Sequence, residues 1–266
     1  MKKQAFLLLM SATIVTSVTT SQVVLAETPQ EKGLQIAVAA DQHAAGWNDS
    51  QSDMKMVLRN AQGKESIRYL KVKALEIPDD GDKSLTIFNQ PRDVKGTALL
   101  TFSHKEGDDD QWLYLPAVKR VKRIASRNKT GPFMGSEFAY EDMSSQEVDK
   151  YDYKYLRDEP CGEWTCYVME RFPKDKNSGY TRQTVWMDQA EYRLVKTEFY
   201  DRKKSLLKTL IIKGHQQYKD KFWRPAEMQM QNHQTGKSTV LEISNIKFDN
   251  GLSKKDFNKN SLKRIK

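Results

Sequence analysis

The hydrophobic pattern of the chain changes period once near its start. Leu34, Ile36, Ala37 and Ala40, then Ala44 and Ala45, recur at helical spacing. Thr28-Pro29-Gln30-Glu31 precedes them as a capping box with proline at the first helical position, and Gly46 follows as a stop. This helix is rich in small residues and can lie close against a sheet. After Trp47 the period drops to two. Met54–Arg59 alternates in part. Over Ser66–Ile77, Ile67, Tyr69, Lys71 and Lys73 take one face, and Arg68, Leu70, Val72 and Ala74 the other. Similar runs follow at Lys83–Asn89, Thr97–His104 and Gln111–Leu115. They resume at Tyr151–Arg157, Thr165–Phe172, Tyr180–Asp188, Arg193–Tyr200, Ser205–Lys213, Phe222–Gln231 and Ser238–Phe248. Polar turns such as Asp79–Asp82, Asp201–Lys204 and Asn232–Gly236 separate them. No βαβ alternation is present. The pattern predicts a mostly β chain with one antiparallel sheet of about eleven strands, large enough that it must curl. A short C-terminal helical turn falls around Lys255–Asn258.

Residues 125–150 interrupt the alternation. They mix Gly, Pro, Ser and Asn with three aromatics, and predict a long loop with a short helix near Glu141–Val148. A loop of that length in a compact domain tends to be functional, and its aromatics argue against disorder. Just before it, QWLYLPAVKRVKRI (111–124) passes from apolar to basic. Trp112 and Tyr114 share one strand face, Leu113 and Leu115 the other, and Pro116 suggests a bulge or an edge. Lys119, Arg120, Lys122, Arg123 and Arg127 then form a basic rim. It suits anionic head groups, an acidic patch on a partner, or plain solvation.

The first 26 residues read as a secretory signal peptide, with Lys2 and Lys3, an apolar run from Ala5 to Met10, and Val24-Leu25-Ala26 at the cleavage site. Its apolar core is shorter than a membrane span requires. Residues 27–266 then form a single domain. Formal net charge falls from +9 to +7 without the two lysines. Export makes nucleic acid an improbable partner and points the basic balance at anionic surfaces. The two cysteines, Cys161 and Cys166, meet an oxidising compartment, and their spacing about Gly162 predicts a disulfide at a hairpin end. The bridge closes a short loop, so its effect on stability is modest.

Catalytic constellations are missing. Gly135-Ser136 lacks the second glycine of a nucleophile elbow, and no H-E-x-x-H or phosphate-binding loop occurs. The four histidines are scattered without ligand spacing, so no metal or cofactor is expected. Asp108–Asp110 reads as a solvated turn, and Glu137, Glu141 and Asp142 read as capping and turn residues rather than an acid–base pair. Binding is the better class. Adaptable methionines, among them Met134, Met228 and Met230, suit an apolar groove.

DQWLYLPAVKRVKRI followed by GPFMGSEFAYEDM resembles the hallmark stretch of the outer-membrane lipoprotein-sorting protein family, the LolA-like group. The matching positions are Trp112, Tyr114 and Pro116, then Phe133, Gly135, Ser136, Glu137, Phe138, Tyr140 and Asp142. CYVMERFPK (166–174), VWMD (185–188), EFYD (198–201) and RPAEMQM (224–230) extend the likeness over most of the exported chain. Glu137 stands where the family more often has Asp, and no position matches the lid-locking arginine of the dedicated lipoprotein chaperone. The resemblance implies an incomplete barrel of about eleven antiparallel strands with lid helices over an apolar cavity. It implies a non-enzymatic periplasmic carrier of lipid or lipoprotein acyl chains, working with an inner-membrane lipid exporter and an outer-membrane acceptor. Trp112, Tyr114, Phe133, Met134, Phe138, Tyr140, Met228 and Met230 are its candidate cavity or lid residues. A sensor or adaptor that binds an envelope protein is the alternative on the same fold.

Overall fold

The computed structural model describes residues 26–264, so the signal-peptide segment lies outside the described residues but for Ala26. One helix, α1 (Pro29–Ala44), precedes fifteen strands. They are β1 (Asp49–Arg59), β2 (Glu65–Leu75), β3 (Lys83–Gln90), β4 (Ala98–Phe102), β5 (Asp110–Leu115), β6 (Arg120–Ile124), β7 (Tyr151–Cys161) and β8 (Trp164–Pro173). After them come β9 (Arg182–Asp188), β10 (Leu194–Tyr200), β11 (Leu206–Lys213), β12 (Gln216–Tyr218), β13 (Phe222–Arg224), β14 (Glu227–Asn232) and β15 (Ser238–Phe248). Thirteen of them form one antiparallel sheet in the order β6-β5-β4-β3-β2-β1-β15-β14-β11-β10-β9-β8-β7. Strands β12 and β13 pair separately as a small hairpin.

Two differences from the sequence pattern have local causes. The run Phe222–Gln231 is split between β13 and β14 at Pro225 and Ala226, where proline supplies no ladder donor. Strand β6 carries Arg120, Lys122 and Arg123 among five residues, so its alternation is masked by charge. It nonetheless pairs with β5 from Leu115↔Arg120 to Gln111↔Ile124, and it is an outer edge of the sheet. Pro116 makes no bulge in the ladder. It opens the one-turn 3-10 helix Pro116–Val118 that joins the two strands.

The sheet has two unlike faces. Reading the register across, Leu113, Leu99, Phe88, Leu70, Met56, Leu241, Met230, Leu210 and Phe199 point to the same side and share one buried cluster. Residues 125–150 lie over it. Helix α1 covers the far end of this face, placing Ile36 and Ala37 against Tyr153, Met169 and Val185. The helix has the expected capping box. It approaches so closely that a Cβ on Gly33 would stand 2.8 Å from the Tyr155 backbone nitrogen. Leu34, expected on the packed side, is instead 46% exposed. On the opposite face, the C-terminal turns Lys254–Asp256 and Lys259–Arg264 put Phe257 and Leu262 over Leu85, Leu100 and Tyr114.

The sheet curls, and its curvature follows from two hydrogen bonds. Gln111 on β5 donates through Nε2 to the Tyr140 carbonyl (2.8 Å), and Lys208 on β11 donates to the Asp142 carboxylate (2.7 Å). These strands are seven spacings apart, about 34 Å across a flat sheet. Two residues of chain span only about 7 Å. The covered face is therefore concave. The edges β6 and β7 do not pair, so the barrel is not closed.

Candidate functional site

The concave face and the loop over it form the candidate site. Residues 125–150 hold no long helix. The helix expected near Glu141–Val148 is two separate 3-10 turns, Tyr140–Met143 and Val148–Lys150, because Ser144 between them is extended. Phe133 and Phe138 enter the floor, with relative exposures of 0% and 3%. Phe133 packs against Phe88 at 5.7 Å and Tyr140 at 5.8 Å between ring centroids. Met134, Tyr140, Met143 and Met228 border the cluster, and Met230 is buried within it. The loop thus fills the concavity as well as roofing it.

Six of the eight predicted cavity or lid residues are brought together here: Phe133, Met134, Phe138, Tyr140, Met228 and Met230. Trp112 and Tyr114 are not. Their alternation with Leu113 and Leu115 is as expected, but it is the leucines that face the loop. Trp112 and Tyr114 lie on the convex side, under the C-terminal turns. The basic rim divides likewise: Arg120 and Lys122 are in register with Leu115 and Leu113, Arg123 with Trp112.

Polar bonds hold the loop to the floor. Lys208, in register among the inward residues Leu210 and Ile212, donates to the Glu137 carbonyl (2.9 Å) and to Asp142. The Tyr180 hydroxyl donates to the same carboxylate at 2.9 Å, and Asp142 accepts from the Ala139 amide at 2.7 Å. Asn232 donates to Glu137 (2.7 Å), whose amide donates to Thr239 (3.0 Å). Glu141 accepts from Ser178 and the Gly179 amide, and burial raises its carboxyl above the usual range. Burial, with Asp142 and Glu141 alongside, pushes the Tyr180 hydroxyl well up. Arg68 donates from β2 to the Met134 carbonyl at 2.5 Å.

The three carboxylates Glu137, Glu141 and Asp142 are thus consumed in attaching the loop. Sequence reasoning missed their partners Lys208, Tyr180 and Asn232. The available signal was a charged residue at an inward position of an apolar strand, as in LLKTLIIK (206–213) or IRYLKV (67–72). Two open clefts flank the loop. One of about 560 Å³ lies between Glu137, Tyr180 and Lys208, and one of about 620 Å³ between Asp109, Lys129 and Lys150.

A solved structure described as an outer-membrane lipoprotein-sorting protein domain, from Vibrio parahaemolyticus, is 59% identical to this chain. The match covers 88% of this chain and 100% of that one, with a TM-score of 0.87. The chain belongs to the LolA-like lipoprotein-sorting family. A DUF1329 family protein from Desulfovibrio piger is 32% identical over 89% of this chain and 100% of its own (TM-score 0.84). A LolA superfamily protein from Nitrosomonas europaea, 23% identical over 88% of this chain and 99% of its own, shares the fold at a TM-score of 0.68. A family model described as "Uncharacterized protein" matches residues 80–264, and no curated protein matches. The family's open, curved sheet is the one found here. The Cys161–Cys166 bond is also present, at the end of the β7–β8 hairpin.

Proposed function

We propose that this protein is a non-enzymatic periplasmic carrier. It takes an acyl chain of a lipid or lipoprotein onto the concave floor, in exchange for the aromatic side chains of residues 125–150, during transit toward the outer membrane. The observation that carries this reading is the cover itself. An apolar floor spanning most of the sheet is closed by a loop of short turns, held through side-chain bonds that water can replace. Moving Phe133 and Phe138 into water costs about 3–6 kcal/mol, which burial of roughly four to eight methylenes offsets. A phospholipid or lipoprotein acyl chain is longer than that. Arg68 supports the reading as a latch, because it grips the loop backbone at Met134 beside the ring that must leave. An inner-membrane exporter as donor and an outer-membrane acceptor would complete the route.

The filled floor also favours a second reading, an adaptor that binds an envelope protein and carries no lipid. Native mass spectrometry of protein taken from periplasm without detergent, followed by solvent extraction, separates the two. The carrier predicts a discrete extra mass that extracts as acyl lipid, or uptake when lipid is offered. A clean chain mass with no uptake turns the assignment to the adaptor.

A further inference from the structure

The positive charge of this chain is concentrated at one edge of the sheet. The stretch 116–127 carries Lys119, Arg120, Lys122, Arg123 and Arg127 and no carboxylate. The stretch 252–264 carries Lys254, Lys255, Lys259, Lys263 and Arg264 against Asp256 alone. The two together hold a net +9, the formal charge of the whole chain, so the rest of the molecule is balanced. The fold brings these distant stretches together. The turn Lys259–Arg264 packs on β4, β5 and β6. Lys259 Nζ lies 5.7 Å from the Trp112 ring, and Trp112 is the register partner of Arg123.

All ten cations are exposed. Among the described residues only Arg123 has an ion-pair partner, Asp110 at 2.5 Å. Unpaired charge at this density is costly through self-repulsion, and a counter-surface relieves it. At the tip of the patch, the turn from β5 to β6 presents Val118 at 57% exposure, the most exposed of the large apolar side chains described. An apolar tip ringed by cations matches the boundary between head groups and acyl chains, where apolar contact and attraction to anionic lipid add. An acidic protein would match the charge but not require the tip.

We propose that the β6 edge, together with the C-terminal turns, docks this protein on a membrane surface rich in anionic phospholipid, with Val118 entering the head-group layer. This surface runs along the outer edge of the sheet, with Arg120 and Lys122 on the side of the concave floor and Arg123 on the side of the C-terminal turns, and the inference does not depend on what the floor holds. Each cation contributes about fivefold to partition at such a surface.

The test is flotation of the exported chain with vesicles of phosphatidylcholine alone, or with phosphatidylglycerol added. Binding is expected to the anionic vesicles only, and to fall away at about 0.5 M salt, where the Debye length is only a few ångströms. Two triple variants, K119E/R120E/K122E and K259E/K263E/R264E, should each weaken partition by at least about a hundredfold, the loss expected from removing three cations alone. Val118→Asp should weaken it without changing solubility. All seven positions are exposed, so an unchanged thermal unfolding curve shows that each variant folds. Three outcomes overturn the inference: no binding to anionic vesicles, equal binding by the triple variants, or binding to a polyglutamate column in place of vesicles.

Discussion

Lys208 donates to both the Asp142 carboxylate and the Glu137 carbonyl from a position where its side chain is 4% exposed and that of Asp142 is 9% exposed. Removing one partner of such a pair strands the other in a poorly solvated site, at a cost of about 3–5 kcal/mol. Lys208→Met should therefore lower the urea midpoint and make residues 125–150 sensitive to protease. Adding Asp142→Asn should recover part of the loss, because it removes the stranded charge and keeps a side-chain oxygen to accept from Tyr180 and Ala139. If the single variant unfolds at the wild-type midpoint with its loop still protected, the loop is held by its aromatics and its other polar bonds without this pair.

At the scale of elements, the far end of the loop is fastened differently. The Ser145 amide donates to Ser103 Oγ at 2.9 Å, and Glu147 is buried near Asp82 at the start of β3. Burial, with the Asp82 and Asp41 carboxylates nearby, pushes Glu147 up to about 7; burial and Glu76 push Asp82 up to about 6. Lys150 and Lys105 oppose the shift of Glu147 without cancelling it. Both carboxyls hold protons more tightly in the folded chain than in the unfolded one. Their contribution to stability is thus complete below about pH 4 and is lost as pH rises to about 7. Glu147→Gln stays uncharged and should flatten the decline in urea stability between about pH 5 and pH 8. An unchanged slope would place the proton elsewhere.

The elements also show what alternation reveals and what it conceals. The helix cap, most strands and the cysteine pairing were legible because each is a local pattern. Period two also placed Trp112 opposite Leu113. It could not say which of the two faces the loop, since both are apolar and both faces of the sheet are covered here. That depends on the C-terminal turns, residues 254–264, which only the tertiary fold brings to β5. Lys208 and Arg68 were hidden for a related reason: a charged residue facing inward is explained only by the loop carbonyl it meets.

The whole molecule hangs on one central pairing. Strand β15 joins β1 on one side and β14 on the other, so Val240 is in register with Val57 and with Gln229. It is the seam between β6–β1 and β14–β7. Proline at a central strand position removes a ladder donor and clashes with its neighbours, costing about 3 kcal/mol or more. Val240→Pro should abolish the single cooperative unfolding transition followed by tryptophan fluorescence. A retained sharp transition would show that the halves cohere without this seam.

The loop 125–150 leaves β6 at one free margin of the sheet and enters β7 at the other. It is therefore strung between the ends of a curved body like a cord across a bow. Its contour length limits how far the margins can spread, and its side chains brace the hollow from within. Pulling those side chains out slackens the cord and lets the sheet flatten; seating them draws the margins together. Mouth width and cover position are then one mechanical coordinate, and inserting residues into the loop would widen the mouth without touching a single strand.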